Sequence, residues 1–192
     1  MKNIKLEVVG QTAMLMHADL LADPLDPATK EMKRYSGKSK KTDEDHETMA
    51  RLEFHAGLYR DDTGQVVIPA PNLLKCLIEG ARVSKRGPKI ERGVAVGATS
   101  FPLDYQGPPA DQLYAHGGFV SRMSVRVGQT KVMRVRPRFP AGWRFVAPLL
   151  VDESVINPEE LAEIAQTAGA LIGLGDYRKA GGFGRFATRV VE

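Results

Sequence analysis

Apolar and polar residues alternate along several stretches of the chain, and this period of two predicts β-strands. The first stretch covers residues 3–9, where Ile4, Leu6 and Val8 lie on one side and polar residues on the other. Further stretches that predict strands are 66–68, 94–105, 119–127, 133–138, 143–151 and 186–191. A short segment around Gly128 separates two of them, which predicts a β-hairpin.

Three other segments carry the apolar period of an α-helix together with a helix-start signal. Thr42 and Asp45 form a capping-box pattern at the start of a helix over 42–56. An Asn-Pro pair followed by acidic residues begins a helix over 157–171. Residues 72–84 form the third helix, with one apolar stripe and a basic outer face.

The order of these elements is strand, helix, strand, strand, helix, strand once two insertions are set aside. The insertions cover about 19–65 and 85–117. This order is the βαββαβ pattern of ferredoxin-like and RRM-like domains, which have a four-stranded antiparallel sheet with helices on one face. We therefore expect an α+β fold and a single domain over 1–192.

Composition adds only weak constraints on function. Hydrophobic residues make up 43% of the 192 residues, enough to bury a core, and 27 Lys and Arg against 23 Asp and Glu give a net charge of +4. The lone Cys76 excludes an internal disulfide and a thiolate zinc cluster, and its apolar setting suits a reducing cytoplasm. The N-terminal residues do not resemble a signal peptide, and no apolar run reaches membrane-spanning length, so we expect a cytoplasmic protein without membrane contact.

Five arginines lie on the predicted hairpin, and no Asp or Glu occurs between residues 119 and 140. They are Arg122 and Arg126 on the first strand and Arg134, Arg136 and Arg138 on the second. The alternate residues Met123, Val125, Met133 and Val135 are expected to face the core. We therefore expect one cationic face that contacts nucleic-acid phosphates. The alternative is a solvated sheet face, where arginine is common.

Residues 175–186, which we call the glycine loop, combine glycine with positive charge. Glycine lets a backbone approach another surface closely and tolerates positive φ. The residues that we expect to cradle a phosphate are Arg178, Arg185 and the amides of Gly181, Gly182 and Gly184, with Lys179 nearby. The same glycines would also be needed to pack Phe183 and Phe186 against the core, which is the alternative interpretation.

Further basic residues lie outside these two elements. We expect residues 30–41 to be a mobile basic stretch, either simply solvated or an arm that becomes ordered on nucleic acid. The loop over 85–92 is also basic. Lys75 and Arg82, on the outer face of the predicted helix 72–84, are candidate phosphate contacts, although they could equally be ordinary helix-surface residues.

Catalytic signals are weak. Asp19, Asp23 and Asp26 could act as a general base or hold Mg²⁺, but they are better explained as turn-forming residues. The acidic residues at 43–47 are better explained as charges in the first turn of a helix. No phosphate-binding loop, serine elbow or paired-histidine motif occurs in the sequence, so we expect no metal and no cofactor, and an enzyme is the less favoured interpretation.

Two segments resemble the RAMP superfamily of CRISPR RNA-binding proteins, particularly its backbone subunits. Residues 67–82 (VIPAPNLLKCLIEGAR) are similar to the family's strand and Ile-Pro entry into its first helix, with Asn72 and Cys76 in place of a small residue and a glycine. Residues 172–186 are similar to its C-terminal glycine-rich loop. Residues 21–27 and 40–45 also look like segments of phage and prophage proteins.

The resemblance implies an RNA-recognition-like sheet and a protein that grips single-stranded nucleic acid by its backbone. The nucleic acid could be RNA or DNA, and RNA is the favoured interpretation. The resemblance also implies a homo-oligomer along the nucleic acid, or a subunit of a CRISPR-like or phage ribonucleoprotein assembly. Some members of the family cleave RNA with an aspartate after the first strand, which is the region of Asp19, Asp23 and Asp26. A metal-dependent ribonuclease, and a phage structural or regulatory protein that binds an acidic partner, therefore remain alternatives.

Overall fold

Antiparallel β-sheets and α-helices form the fold of this computed structural model, which describes residues 1–191 apart from the side chain of Val127. The fold is α+β, as the sequence predicts. Backbone contacts divide the chain into two units. The first contains residues 1–14, 60–106 and 140 onwards, and the second contains residues 15–59 and 107–139.

The secondary structure is as follows. The strands are β1 (Lys2–Gly10), β2 (Met14–Leu15), β3 (Val67–Pro69), β4 (Val94–Val96), β5 (Ser100–Pro102), β6 (Val120–Val127), β7 (Thr130–Phe139), β8 (Arg144–Val151) and β9 (Phe186–Val191). The helices are α1 (Pro27–Ser36), α2 (Asp43–Ala56), α3 (Ala70–Arg82), α4 (Gly87–Gly93), α5 (Pro158–Thr167) and α6 (Arg178–Gly181). Short 3₁₀ turns occur at Leu20–Ala22, Leu113–Ala115 and Gly117–Phe119, and a π-helical turn at Ala168–Ile172.

The first unit contains a four-stranded antiparallel sheet in the order β4-β8-β1-β9. Alternate residues of the central strand β1, namely Ile4, Leu6 and Val8, are fully buried, while Lys5 and Val9 are exposed on the opposite face. This alternation follows from the strand period and explains why the sequence pattern locates β1 correctly. The sheet therefore has one face in the core and one face open to solvent.

Helices α3 and α5 pack against each other in the same unit. Gly80 of α3 lies so close to Ala168 of the π-helical turn that a Cβ on Gly80 would come within 2.6 Å of the Ala168 Cβ. The Asn157 side chain accepts a hydrogen bond from the Glu160 amide at 2.8 Å, which caps α5 as the sequence predicts. The small residue in α3 is therefore a packing requirement at this helix contact.

The second unit contains α1, α2 and the hairpin of β6 and β7. The predicted capping box of α2 is confirmed, because the Thr42 side chain accepts from the Asp45 amide and the Asp45 side chain accepts from the Thr42 amide. A hydrogen bond from Lys38, followed by the bond from the Thr42 amide, holds the pKa of Asp45 below its usual value. Phe54 of α2 is fully buried and packs edge-on against Tyr114, with 5.2 Å between ring centroids.

Three predicted features differ from the structure. Within residues 30–41, expected to be a mobile stretch, residues 30–36 belong to α1, because Asp26 caps that helix and Pro27 occupies its first position. Residues 85–117, expected to be an insertion, supply β4, which pairs with β8 from Val94↔Val151 to Val96↔Leu149. The arginine hairpin, expected in the core sheet, instead belongs to the second unit with residues 15–59.

No helix within residues 1–191 combines the length and the apolar character needed to cross a bilayer.

Candidate functional site

A two-residue turn joins the strands of the arginine hairpin and determines how they pair. Gly128, in the turn, has a φ of 60°, which suits a residue without Cβ. Val127 pairs with Thr130 directly across the turn, and Arg126 pairs with Lys131 next. Paired residues project from the same face of an antiparallel sheet. The turn length therefore decides which side chains of the two strands share a face.

This register places the five arginines on both faces of the hairpin, so the prediction of a single cationic face is wrong. One face carries Arg122, Arg126, Lys131, Met133 and Val135. The opposite face carries Met123, Val125, Arg134, Arg136 and Arg138. The alternation within each strand was predicted, but the register was not, and a shift of one residue exchanges the faces of a whole strand.

Arg122 belongs to a polar cluster with Glu47 and Tyr114. Its Nη2 donates to Glu47 Oε2 at 3.0 Å and to the Tyr114 hydroxyl at 2.8 Å, and that hydroxyl donates to Glu47 Oε1 at 2.6 Å. The tyrosine hydroxyl, followed by Arg122, holds the pKa of Glu47 below its usual value. Burial and this hydrogen bond raise the pKa of Tyr114. The charge of Arg122 is therefore balanced by the Glu47 carboxylate, and its side chain is held in place by Glu47 and Tyr114.

The arginines of β7 also have structural partners. Arg134 Nη1 donates to Glu53 Oε1 at 3.0 Å, and the other oxygen of that carboxylate accepts from the Val135 amide at 3.0 Å. Arg136 is buried, with 7% of its surface exposed, so it is not on the solvated face where it was expected. Arg138 donates to the Gly118 carbonyl at 2.8 Å. These contacts tie β7 to the rest of the second unit.

The hairpin tip, defined here as Arg126 and Lys131, behaves differently. The two residues are directly paired across the strands and both are exposed. Neither makes an ion pair or a side-chain hydrogen bond within the part of the chain that the structure describes. Like charges directly opposite each other on a sheet repel. The sequence prediction included Arg126 but missed Lys131. A two-residue turn at residues 128–129 pairs Val127 with Thr130 and therefore Arg126 with Lys131, so assuming such a turn would have identified it.

The glycine loop is folded tightly onto the first unit. A Cβ on Gly184, which has a φ of 71°, would overlap the Leu174 carbonyl. The Gly184 amide donates to the Ala13 carbonyl at 2.7 Å, and the Gly181 amide donates to the Tyr177 carbonyl at 3.0 Å. These two amides, which were expected to cradle a phosphate, therefore serve the fold.

Gly182 differs from the other two glycines. It has a φ of 67°, and nothing lies within 4 Å of where its Cβ would be. Its carbonyl accepts from the Thr12 hydroxyl at 3.0 Å. Within residues 1–191 no hydrogen bond is made by the amides of Gly182 and Phe183, so the loop contains two consecutive donors without an intramolecular acceptor.

The arginines of the glycine loop lie beside α3. Arg178 Nη2 donates to Glu79 Oε2 at 3.3 Å, with 22% of each side chain exposed, and Arg178 Nη1 donates to the Gly173 carbonyl. Arg185 Nη2 donates to the Arg178 carbonyl at 3.3 Å, while its Nη1 is buried without a hydrogen-bond partner among the described residues. Both side chains therefore hold the loop in place through hydrogen bonds and also give it positive charge.

Cys76 lies under the same loop. Its thiol donates to the Gly173 carbonyl at 3.2 Å, and the side chain is fully buried. Burial raises the pKa of Cys76 to about 12, against a smaller opposing effect of Arg178. The expectation of a buried cysteine is confirmed, and at neutral pH the residue is a thiol.

Lys75 and Arg82 lie on the exposed side of α3. Arg82 Nη2 donates to Glu91 Oε1 at 3.1 Å, whereas Lys75 makes no ion pair within residues 1–191. Lys75 is one helical turn before Glu79, so the two side chains lie on the same side of α3. The structure thus joins Arg178 of the glycine loop to Glu79, with Lys75 one turn away along the helix.

The aspartates considered as catalytic candidates have local structural roles. Asp26 Oδ1 accepts from the Ala28 amide at 2.7 Å as the N-cap of α1, and Asp23 Oδ1 accepts from the Leu25 amide at 2.9 Å. The Asp19 carbonyl accepts from the Ala22 amide in a 3₁₀ turn. Among the described residues, His, Cys, Asp and Glu side chains form no group of three or more with a geometry that could hold a metal ion.

Comparison with known proteins adds no assignment: no protein-family model matches the chain, and a search of curated proteins finds no significant match.

Proposed function

We propose that this protein binds single-stranded nucleic acid, with RNA as the preferred ligand, by contacting its phosphates without cleaving it. The preference for RNA rests on the resemblance of residues 67–82 and 172–186 to RAMP proteins. Both units carry exposed positive charge that suits phosphate. We propose one phosphate-contacting surface in each unit and treat the two surfaces separately.

The observation that carries the proposal is the hairpin tip. Arg126 and Lys131 lie opposite each other, and neither forms an ion pair with an acidic residue among residues 1–191. In the free protein this pairing costs energy, since like charges directly opposite each other in a sheet repel. A phosphate between the two side chains would convert that repulsion into two charge-assisted hydrogen bonds. Backbone phosphates supply such an anion at every nucleotide.

The glycine loop provides a second candidate contact. The Gly182 and Phe183 amides are two adjacent donors, and Gly182 leaves the space beside them open. Exposed Lys179 lies on the same loop, and exposed Lys75 lies one helical turn from Glu79, the partner of Arg178. Adjacent backbone amides with nearby cations form the type of concave site that accepts phosphate oxygens.

We also propose that the first unit has a ferredoxin-like core related to RAMP proteins. The strand order β9-β1-β8-β4, with every neighbouring pair antiparallel, supports this. The positions of α3 between β1 and β4, and of α5 between β8 and β9, agree with the βαββαβ pattern. A role in a ribonucleoprotein assembly, either along the nucleic acid as a homo-oligomer or beside other subunits, is part of the same proposal.

The proposal is tested by fluorescence anisotropy with a labelled 20-nucleotide RNA over a range of salt concentrations. Replacing Arg126 and Lys131 together by Ala should weaken binding about tenfold and equally across unrelated sequences. The slope of log K against log salt should flatten by about 1.4, because each phosphate contact contributes about 0.7 for a single strand.

A matched control removes two arginines from ion pairs in the first unit. Arg144 donates to Asp104 and Arg189 donates to Glu7, so Arg144→Ala with Arg189→Ala changes the net charge by the same amount. This control should leave the salt slope within about 0.5 of the parent value. Equal effects of the two double variants, or no measurable binding of RNA and single-stranded DNA by the parent protein, would refute the hairpin assignment.

A further inference from the structure

A cleft of about 490 Å³ lies within the second unit, between the two helices and the hairpin. Its apolar lining consists of Leu21, Met32, Met49, Ala50, Val132, Met133 and Val135. The volume falls within the range of natural binding clefts, which are mostly apolar with a few polar groups. The proposed phosphate contacts at the hairpin tip do not require this cleft.

Methionine provides three of these lining residues, and one of them is strongly exposed. Met32 comes from α1, Met49 from α2 and Met133 from β7. Met133 is 59% exposed, although an apolar side chain gains free energy when it is covered. Flexible, polarisable methionine side chains adapt to the shape of an apolar partner and are common on protein-binding surfaces.

Exposed apolar side chains also occur in the segment that supplies Leu21 to the cleft. Leu21, which lines the cleft, belongs to the 3₁₀ turn Leu20–Ala22. Leu20 in the same turn is 43% exposed, and Leu25 just after it is 73% exposed. Several large apolar side chains exposed together are typical of a macromolecular interface.

Positive charge surrounds this apolar surface. Lys33, Arg122 and Arg134 line the cleft, whereas Glu53 is its only acidic residue in the described part of the chain. Glu53 is already engaged by Arg134 and the Val135 amide. Lys33 makes no ion pair within residues 1–191. The cleft therefore favours an occupant that is apolar on one side and acidic on the other.

We propose that this cleft binds an amphipathic helix with an acidic polar face, supplied by a partner protein. The apolar edge of such a helix, with large residues at i, i+3, i+4 and i+7, would insert between α1, α2 and β7. Its carboxylates would lie against Lys33, because Arg122 is already bonded to Glu47 and Arg134 to Glu53. The inference does not depend on the proposed binding of nucleic acid, because neither Arg126 nor Lys131 lines the cleft.

The experiment uses a labelled 18-residue helical peptide with a leucine and methionine stripe and glutamate elsewhere, in fluorescence anisotropy with the whole protein. Met133→Gln should weaken binding about tenfold, since a central apolar anchor is removed. Leu171→Gln is the matched control, because Leu171 is 57% exposed but lies in the first unit. That control should change the affinity less than about twofold.

A charge reversal separates specific binding from misfolding. Lys33→Glu should weaken the glutamate peptide about fivefold and strengthen a peptide in which lysine replaces every glutamate. A folding defect would weaken both peptides. The proposal is overturned if a scrambled peptide of the same composition binds equally well, or if Met133→Gln or Lys33→Glu leaves the affinity unchanged.

Two further outcomes would assign the cleft to another occupant and overturn the proposal. In the first, unlabelled RNA displaces the bound peptide from the Arg126→Ala, Lys131→Ala double variant. Since this variant lacks the hairpin tip, the RNA would then occupy the cleft itself. The other is a dimer of the parent protein, seen by light scattering, that Met133→Gln dissociates.

Discussion

The hairpin tip and the glycine loop are both basic, but the protein uses their charges in opposite ways. In the loop, Arg178 is bonded to Glu79, and the Gly181 and Gly184 amides donate to backbone carbonyls. At the tip, Arg126 and Lys131 repel each other and have no partner in the described part of the chain. The loop cations therefore contribute to folding, whereas the tip cations remain available for an external anion.

This difference shows that positive charge in a sequence does not by itself indicate a binding site. A cation with a carboxylate partner contributes to stability and offers less to a ligand, because binding must first replace that partner. A cation held beside another cation costs stability and gains most from an anionic ligand. Stability and affinity measured on the same variants should therefore separate the two regions.

The largest effect is expected from Gly184→Ala. Because its Cβ would overlap the Leu174 carbonyl at a φ of 71°, we expect a loss of about 3 kcal/mol or more in the free energy of unfolding, measured in urea. Gly182→Ala, at a φ of 67° but with open space around it, should lose only about 1 kcal/mol. Equal losses would mean that the loop is not packed as described.

The second prediction concerns the thiol beneath the glycine loop. Cys76 should react with a disulfide reagent at about pH 8 at least a hundredfold more slowly than an exposed cysteine, because burial raises its pKa to about 12. Reaction should become fast in urea. Fast labelling of the folded protein would show that the loop opens readily, and the contrast with the hairpin tip would then weaken.

A smaller effect is expected from Arg178→Ala. Its ion pair with Glu79 is half-buried, so we expect a loss of about 1 kcal/mol in thermal or urea unfolding. Arg189→Ala is the control, since that side chain is 74% exposed and its pair with Glu7 should contribute less than about 0.5 kcal/mol. A stability loss from Arg189→Ala that matches the loss from Arg178→Ala would contradict the structural role assigned to the loop arginine.

The smallest effect has the opposite sign. Lys131→Ala should stabilise the free protein by about 0.5 kcal/mol at low salt, because it removes the like-charge pair with Arg126. The gain should fall as salt screens the repulsion. It is measured by urea unfolding at two ionic strengths, and a loss of stability would indicate that Lys131 has a stabilising contact.

Local signals in the sequence were sufficient for many of the elements. The capping box at Thr42, the Asn-Pro start of α5 and the alternation in β1 and β9 each concern neighbouring residues, and the structure agrees with them. The start of α1 was missed because Asp26-Pro27 also favours turns. The extended ψ of 138° at Asp26, which a following proline favours, is also the geometry of an N-cap.

Non-local features could not be predicted in the same way. The face on which each hairpin arginine lies depends on the register, and a turn longer or shorter by one residue would change it. The engagement of Arg178 by Glu79 joins residues far apart in sequence, so no local pattern reports it. The sequence therefore identified candidate phosphate contacts by residue type. Whether each cation is exposed and free of a carboxylate partner depends on the fold.

The chain passes between its two units four times, after residues 14, 59, 106 and 139. A ribosome that makes the chain in order produces β1 early, but the strands on either side of it, β8 and β9, only after residue 143. Every residue of the second unit has been synthesised by residue 139. Because domains generally fold as units during synthesis, the second unit can begin to fold while β1 still awaits its neighbouring strands.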